Sequence, residues 1–120
     1  MKKKFTFEMP YIGSVISINH YKYKGRYTRP EAKAWKEELG WKILPQHLED
    51  WKQPLTITVS GVFKDKRSCP DIHNTLKIIC DEIEEVSGLN DRNFRTSTSE
   101  PLISKDESPY LRISIEESSC

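Results

Sequence analysis

The spacing of hydrophobic and polar side chains along the chain predicts four strands. Residues 5–9, 55–63 and 110–115 alternate between apolar and polar side chains, which is the period of a strand with one buried face. Residues 92–98 are a weaker candidate for a fourth strand. Gly61 interrupts the alternation in the second of these segments, which predicts either a bulge or a close approach by a neighbouring segment.

Two helices are predicted where apolar side chains recur every three to four residues. The first lies between Thr28 and Pro45, and the second runs from about Asp71 to Ser87, with Gly88 in the place of a C-terminal cap. Residues 100–108 are expected to form a loop, the polar tail after the last strand to be frayed, and the three tryptophans to be packing residues and not ligand contacts. Residues 1–120 are therefore predicted to form a single α+β domain, with a small mixed sheet of about four strands and two main helices on one face.

The second helix carries polar side chains along one face. At about 100° per residue, Asn74, Lys77 and Asp81 fall within a narrow arc, and Asp71 and His73 border it. Apolar side chains occupy the opposite arc: Ile72, Leu76, Ile79, Ile83 and Val86. Such a polar face is commonly only solvated, and an acid directly after a proline, as at position 71, also suits a helix N-cap. The amide and the lysine among the acids favour a functional site, because an ordinary surface helix more often pairs Glu with Lys.

The residue types in this region suit phosphoryl transfer. Carboxylate oxygens are the ligands that hard cations such as Mg²⁺ prefer, and a phosphodiester that is to be cleaved needs a cation beside it. A basic loop, residues 64–68, leads into the helix. These features predict a metal-dependent phosphoryl-transfer site.

The motif itself resembles a known signature. The run Asp71-Ile72-His73-Asn74, followed by Lys77, Asp81 and Asn90-Asp91, resembles the signature of RusA-type Holliday junction resolvases, which are crossover junction endodeoxyribonucleases. Weaker similarity extends over most of the chain, since residues 18–27 look like the Asn/Tyr/basic loop that precedes the first helix in that family. The resemblance implies a RusA-like fold and a homodimer that cuts four-way or otherwise branched DNA with Mg²⁺ as cofactor, or Mn²⁺ as a possible substitute.

The resemblance also implies roles for individual residues. The metal ligands would be Asp71 and Asp91, aided by His73 and Asp81, while Lys77 would act on the scissile phosphate. Two amides would orient ligands from outside the metal's own shell, namely Asn74 and Asn90. The family usually has a second acid where this chain has His73, and a neutral imidazole suits softer ions than Mg²⁺ and adds no negative charge.

This substitution leaves more than one function open. The first hypothesis is a working structure-selective endonuclease that serves recombination, repair or phage DNA processing. The second is a protein that binds junction DNA but cleaves it inefficiently. The third is an unrelated RNA-binding or protein-interaction domain, whose helix would carry only a solvated polar face.

The distribution of charge predicts a nucleic-acid surface. The net charge is +1, but residues 1–30 hold seven Lys or Arg against one acid, and the other 90 residues hold twelve against seventeen. Basic side chains contact phosphates and aromatic rings can stack on unpaired bases; the alternative is a solvated basic segment with ordinary tyrosines. The candidate DNA-binding residues are Asn19, Tyr21, Lys22, Lys24, Arg26, Arg29, Lys64, Lys66 and Arg67.

Other classes of protein find no support in the chain. There is no apolar run near the roughly 18 residues that a membrane span needs, and the N-terminal residues alternate in place of forming an apolar signal core. The three cysteines form no C-x-x-C pair, so neither a zinc knuckle nor a disulfide framework is expected. The chain is therefore expected to be cytoplasmic, with no membrane partner.

Overall fold

The computed structural model describes residues 2–13, 16, 22–23, 27–28, 30–67, 69–70 and 72–118. Its strands are β1 (Lys4–Pro10), β2 (Lys22–Tyr23), β3 (Tyr27–Thr28), β4 (Leu55–Phe63), β5 (Phe94–Thr98), β6 (Leu102–Ile103) and β7 (Tyr110–Glu116). Its helices are α1 (Pro30–Ile43) and α2 (Leu76–Ser87), with short 3₁₀ turns at Leu44–Gln46, Leu48–Asp50, Ile72–Thr75 and Asp91–Asn93. No helix in these segments is both long and apolar enough to span a membrane.

Five strands form one mixed sheet. Its order is β1-β7-β4-β5, with β6 also pairing with β4, while β2 and β3 form a separate two-stranded ribbon. The β1–β7 and β7–β4 pairs are antiparallel, and β5 and β6 run parallel to β4. The predicted α+β class and mixed sheet are confirmed. The fifth strand, β6, was not predicted and lies within the segment 100–108 that was expected to be a loop. A strand of only two residues, both exposed, has no periodic pattern of apolar side chains.

Strands β5 and β6 act as one strand interrupted by a bulge. Val59 pairs with Thr98 and Val62 pairs with Leu102, so four steps on this side match three steps on β4. The backbone N–H of Ser99 still donates to the Val59 carbonyl oxygen at 3.0 Å. One extra residue is therefore accommodated between the two short strands, which is the definition of a bulge.

The expected irregularity at Gly61 is a close approach. The β4–β7 register runs through Gly61 without interruption, so this pair of strands contains no bulge there. A Cβ at Gly61 would lie 2.7 Å from the Phe63 ring and 3.0 Å from the Tyr110 carbonyl oxygen. Only a residue without a side chain fits this position.

Both helices cover one face of the sheet, as predicted. Alternate residues of the central strands are buried against them, among them Leu55, Ile57, Val59, Leu111, Ile113 and Ile115. The helices contribute Ala32, Trp35, Leu39, Ile43, Leu76, Ile79 and Ile83 to the same core. The opposite face carries hydroxyl side chains that bond across strands, Thr6 to Ser114 at 3.2 Å and Thr58 to Ser97 at 3.1 Å.

The tryptophans divide between core and surface. Trp35 and Trp51 are buried, and their indole N–H groups donate to the carbonyl oxygens of Pro10 and Gln46 at 2.7 and 3.0 Å. Trp41 is 72% exposed, so it does not share this packing role in the core. The residues two positions before and two positions after Trp41 on α1 are both buried, and a step of two residues along a helix turns a side chain to the other side.

The start of the second helix differs from the prediction. Residues Ile72–Thr75 form a 3₁₀ turn, and regular α-helix begins only at Leu76. The buried Thr75 hydroxyl donates to the Ile72 carbonyl oxygen at 2.7 Å, which stabilises the tighter turn. The predicted cap at Gly88 is confirmed by its left-handed conformation and its N–H bond to the Glu84 carbonyl oxygen.

The tail immediately after β7 is held in place and is not frayed. The Glu117 carboxylate accepts the backbone N–H groups of Lys3 at 2.7 Å and Lys52 at 3.0 Å. These two hydrogen bonds lower the pKa of Glu117 below its ordinary value. The Ser118 N–H also donates to the Lys52 carbonyl oxygen at 2.8 Å.

Candidate active site

Three of the predicted site residues share a groove between α2 and β5. His73, Asn74 and Lys77 line a cavity of about 290 Å³. Its other lining residues are Leu76, Cys80, Phe94 and Thr96. The groove forms because β5 lies at the edge of the main sheet, where the polar face of α2 passes beside it. The structure thus brings together an imidazole and an amide from the 3₁₀ turn and an ammonium group from α2, although the α-helical spacing assumed for residues 73 and 74 does not apply there.

Lys77 and Asp81 form an ion pair at the same face of α2. The Lys77 Nζ lies 3.1 Å from Asp81 Oδ1, one helical turn further along. The lysine side chain is 47% exposed and the aspartate side chain only 17% exposed. The more buried carboxylate therefore anchors the more exposed ammonium beside the groove. Asp81, predicted as an additional metal ligand, is in this structure the hydrogen-bond partner of Lys77.

A second cavity adjoins the first at His73. It has a volume of about 320 Å³, and one wall consists of Pro70, Ile72 and His73. The other wall is the bulge after β5, residues 98–101, which includes Glu100. His73 lines both cavities. Glu100 was not predicted as a site residue, because it belongs to no motif and the bulge that brings it here leaves no signal in the sequence.

Neither of the two acids with the strongest motif support has a described side chain. Asp71 lies outside the described residues, while Pro70 and Ile72 on either side of it line the second cavity. The backbone of Asp91 begins the 3₁₀ turn that leads into β5, and its side chain is not described. The Asn90 Oδ1 accepts the Arg92 backbone N–H at 3.0 Å, which stabilises this turn.

The donor types around the second cavity fit a divalent cation. An imidazole and a carboxylate, from His73 and Glu100, line it together, and such nitrogen and oxygen donors suit Mn²⁺ and, for the carboxylate, Mg²⁺. Among the side chains that the structure describes, no three His, Cys, Asp or Glu lie close enough to hold a metal ion. A complete metal site would therefore need donors beyond the side chains that the structure describes.

The predicted DNA-binding residues fall in two segments. Lys64, Lys66 and Arg67 are exposed in the loop that leads from β4 to Pro70. The backbone of Lys22 belongs to β2, and its side chain is not described. The remaining candidates lie outside the described residues: Asn19, Tyr21, Lys24, Arg26 and Arg29.

One acid on α2 has an unusual environment that the sequence did not reveal. Glu82 is buried and faces α1, where a Cβ at Gly40 would overlap its carboxylate. Burial, followed by hydrogen bonding to Glu85, raises the pKa of Glu82 to about 7. Glu85 in turn bonds Lys36 at 2.9 Å. This cluster faces away from the groove and belongs to the contact between the helices.

Comparison with known proteins identifies the family. The family description endodeoxyribonuclease RusA matches residues 16–116 of the 120 residues. The chain belongs to the RusA family. The matched region includes both cavities, the two 3₁₀ turns beside them and the strands from β2 to β7. RusA-family proteins are nucleases associated with Holliday junctions and depend in general on divalent metal ions. No curated protein matches the chain.

Proposed function

We propose that this chain is a metal-dependent, structure-selective endodeoxyribonuclease that resolves Holliday junctions or other branched DNA. It would act as a homodimer in which each copy is a single RusA-like domain, residues 1–120. A four-way junction has two-fold symmetry and needs two matched cuts. The observation that supports this most strongly is that three residues of the RusA-like motif, His73, Asn74 and Lys77, line one groove in a chain that belongs to the RusA family.

In this proposal the acids and the imidazole hold the cofactor. Asp71 and Asp91, with His73, would bind Mg²⁺ or Mn²⁺ through oxygen and nitrogen donors. Such an ion, when bound, polarises a phosphate oxygen and lowers the pKa of a bound water. Asn74, which lines the groove beside His73, would orient a ligand or water by hydrogen bonding.

The lysine has a separate role in the proposed reaction. The ammonium group of Lys77 would stabilise the negative charge that builds up on the phosphate oxygens. Asp81, at 3.1 Å, would keep that ammonium group directed to the groove. This assigns Asp81 a positioning role, because its carboxylate is already engaged with Lys77.

The basic segments would hold the DNA backbone. The exposed Lys64, Lys66 and Arg67 lie directly before Pro70, which lines the second cavity, and residues 1–30 carry the excess of positive charge. Basic side chains of this kind bind phosphates without regard to sequence. They suit an enzyme that selects DNA by its branched shape.

One observation favours a second candidate function. His73 stands where the resemblance leads us to expect an acid, so the cation site lacks one negative charge. A site of this kind would bind Mg²⁺ weakly, and the protein would then hold junction DNA without efficient cleavage.

An assay of junction cleavage distinguishes the two functions. The purified protein is incubated with a labelled synthetic four-way junction or a linear duplex of the same sequence, with Mg²⁺, Mn²⁺ or a chelator. We expect symmetric nicks in the junction with at least one metal and none with the chelator. Tight junction binding without nicks under every condition would support the second candidate and contradict the first.

A further inference from the structure

We propose that a cleft between α1 and α2 binds an arginine side chain of a partner protein. This interhelical cleft has a volume of about 420 Å³, which is larger than either cavity beside His73. Its lining residues are Glu37, Gly40, Trp41, Leu44, Glu82 and Val86. None of these residues lines the groove or the second cavity, so the cleft is separate from the proposed active site.

The apolar wall of the interhelical cleft consists largely of side chains that the fold leaves uncovered. Trp41 is 72% exposed and Leu44 is 48% exposed, and Val86 lines the same cleft from α2. Exposed apolar side chains that share one concave surface commonly mark an interaction site. An exposed indole ring also presents a flat π surface, on which a guanidinium group stacks through cation–π attraction.

Carboxyl groups form the polar part of the cleft. Glu82 is buried against Gly40, while Glu37 is exposed on α1. The charged groups that act on Glu82 are Lys36 and Glu37 from α1 and Glu85 from α2. Lys36 is already paired with Glu85 at 2.9 Å. Three carboxyl groups therefore accompany one ammonium group, which leaves the cleft with an excess of acidic groups.

This excess decides between the candidate occupants. A second copy docked through the same cleft would bring like charges together, and the phosphates of DNA would be repelled. An arginine side chain complements both parts of the cleft. Its guanidinium group would stack on Trp41 while its N–H groups donate to the carboxylates of Glu37 and Glu82. Because Trp41 and Glu37 are exposed on α1, a side chain that projects from a partner protein can reach them.

Glu82 gives this binding a characteristic pH dependence. Its pKa is raised from 4.5 to about 7, chiefly by burial and then by the hydrogen bond to Glu85. A cation beside the carboxyl group favours the charged form, so binding below pH 7 must release a proton. Affinity should therefore increase from pH 6 to pH 8 by up to about tenfold, and Glu82→Gln should remove this increase.

Titration of the whole chain with a short peptide tests this inference. The probe is acetyl-Gly-Arg-Gly-amide, and its matched control carries citrulline, which keeps the shape of arginine but has no charge. Binding is followed by NMR through the indole N–H signal of Trp41. We expect the arginine peptide to shift this signal and to leave those of the buried Trp35 and Trp51 unchanged. The citrulline peptide should bind at least about tenfold more weakly, which is the effect of losing one hydrogen bond between charged groups.

Variants of the chain locate the binding. At pH 8, Trp41→Ala and Glu82→Gln should each bind the arginine peptide at least about tenfold more weakly, with the Gly40 amide signal as reporter. Glu38→Gln, an exposed acid of α1 outside the cleft, should bind like the parent. Equal binding of the two peptides by the parent, or of the arginine peptide by the parent and Trp41→Ala, would overturn the inference. A Trp41 signal that shifts only with protein concentration would assign the cleft to a second copy and would overturn it as well.

Discussion

At the scale of single residues, the pair of Lys77 and Asp81 is the best-defined part of the site. Their 3.1 Å separation joins a half-exposed ammonium group to a carboxylate that is mostly covered. An ion pair at a protein surface contributes only about 0–1 kcal/mol to stability. The value of the pair would therefore lie in the position that it gives to the ammonium group beside the groove.

This arrangement predicts different effects for the two residues. Lys77→Met should lower the single-turnover cleavage rate by about a hundredfold or more, because a charge beside the developing oxyanion is removed. Asp81→Asn should lower it by only about tenfold, with Mn²⁺ affinity unchanged, because the lysine remains but is held less firmly. Lys105→Met, an exposed lysine outside both cavities, serves as control. A loss of Mn²⁺ affinity in Asp81→Asn would instead make Asp81 a metal ligand.

His73 should determine which metal the enzyme prefers. A neutral nitrogen donor favours Mn²⁺ over Mg²⁺, so the parent should cleave faster with Mn²⁺. His73→Asp adds a charged oxygen donor and should shift the preference toward Mg²⁺. Cleavage rates of both proteins across titrations with each metal measure this. Identical metal curves for the two proteins would place His73 outside the metal's ligands.

At the scale of elements, α2 has a different function on each of its faces. One face contributes Lys77 to the groove, and another presses the buried Glu82 against Gly40 of α1. The pKa of Glu82 is raised from 4.5 to about 7, chiefly by burial. The folded chain therefore holds this proton more tightly than the unfolded chain does.

Stability should consequently fall as the pH rises across this interval. Because the folded state binds more protons between pH 4.5 and about 7, the free energy of unfolding decreases through that window and then levels off. Glu82→Gln should remove most of this decrease, since an amide carries no charge at either pH. Urea denaturation at pH 5 and pH 8 measures the difference, with Glu38→Gln, an exposed position of α1, as control. A decrease of equal size in parent and Glu82→Gln would show that other groups cause it.

The strands and helices could be predicted where a period repeats. Lys77 and Asp81 share a face because they are four residues apart, and β4 is recognisable from five alternating positions. No such period marks the one-residue bulge after β5 or the 3₁₀ turn before α2, which depend on pairing with β4 and on packing of Thr75. Glu100 and Glu82 were missed for this reason, since their environments are created by segments distant in sequence.

At the scale of the whole molecule, positive charge is concentrated in two segments of the sequence. Residues 1–30 and the exposed loop at Lys64, Lys66 and Arg67 are the two basic regions. A duplex or junction would be held by these regions while its scissile phosphate enters the groove. Affinity should therefore depend steeply on salt, because each neutralised phosphate releases counterions.

Replacing basic side chains in each region should show which of the two regions binds the DNA backbone. Replacing Lys22, Lys24 and Arg26 together by glutamine should flatten the plot of log affinity against log salt by up to about 2.7, or about 0.9 for each phosphate that is no longer neutralised. The corresponding triple change in the loop after β4 is the comparison. If the slope of log affinity against log salt is unchanged for the first variant and flatter for the second, the loop after β4 supplies most of the phosphate contacts.

The proposed function depends above all on cleavage of branched DNA through a metal site that contains Asp71. The most direct measurement compares the parent with Asp71→Asn on a labelled four-way junction in Mn²⁺, recording both cleavage and binding. We predict paired nicks at symmetric positions by the parent, and a rate at least about a hundredfold lower for Asp71→Asn with junction affinity nearly unchanged. Equal cleavage by the two proteins, or no cleavage by a parent that is folded and binds the junction, would contradict this function.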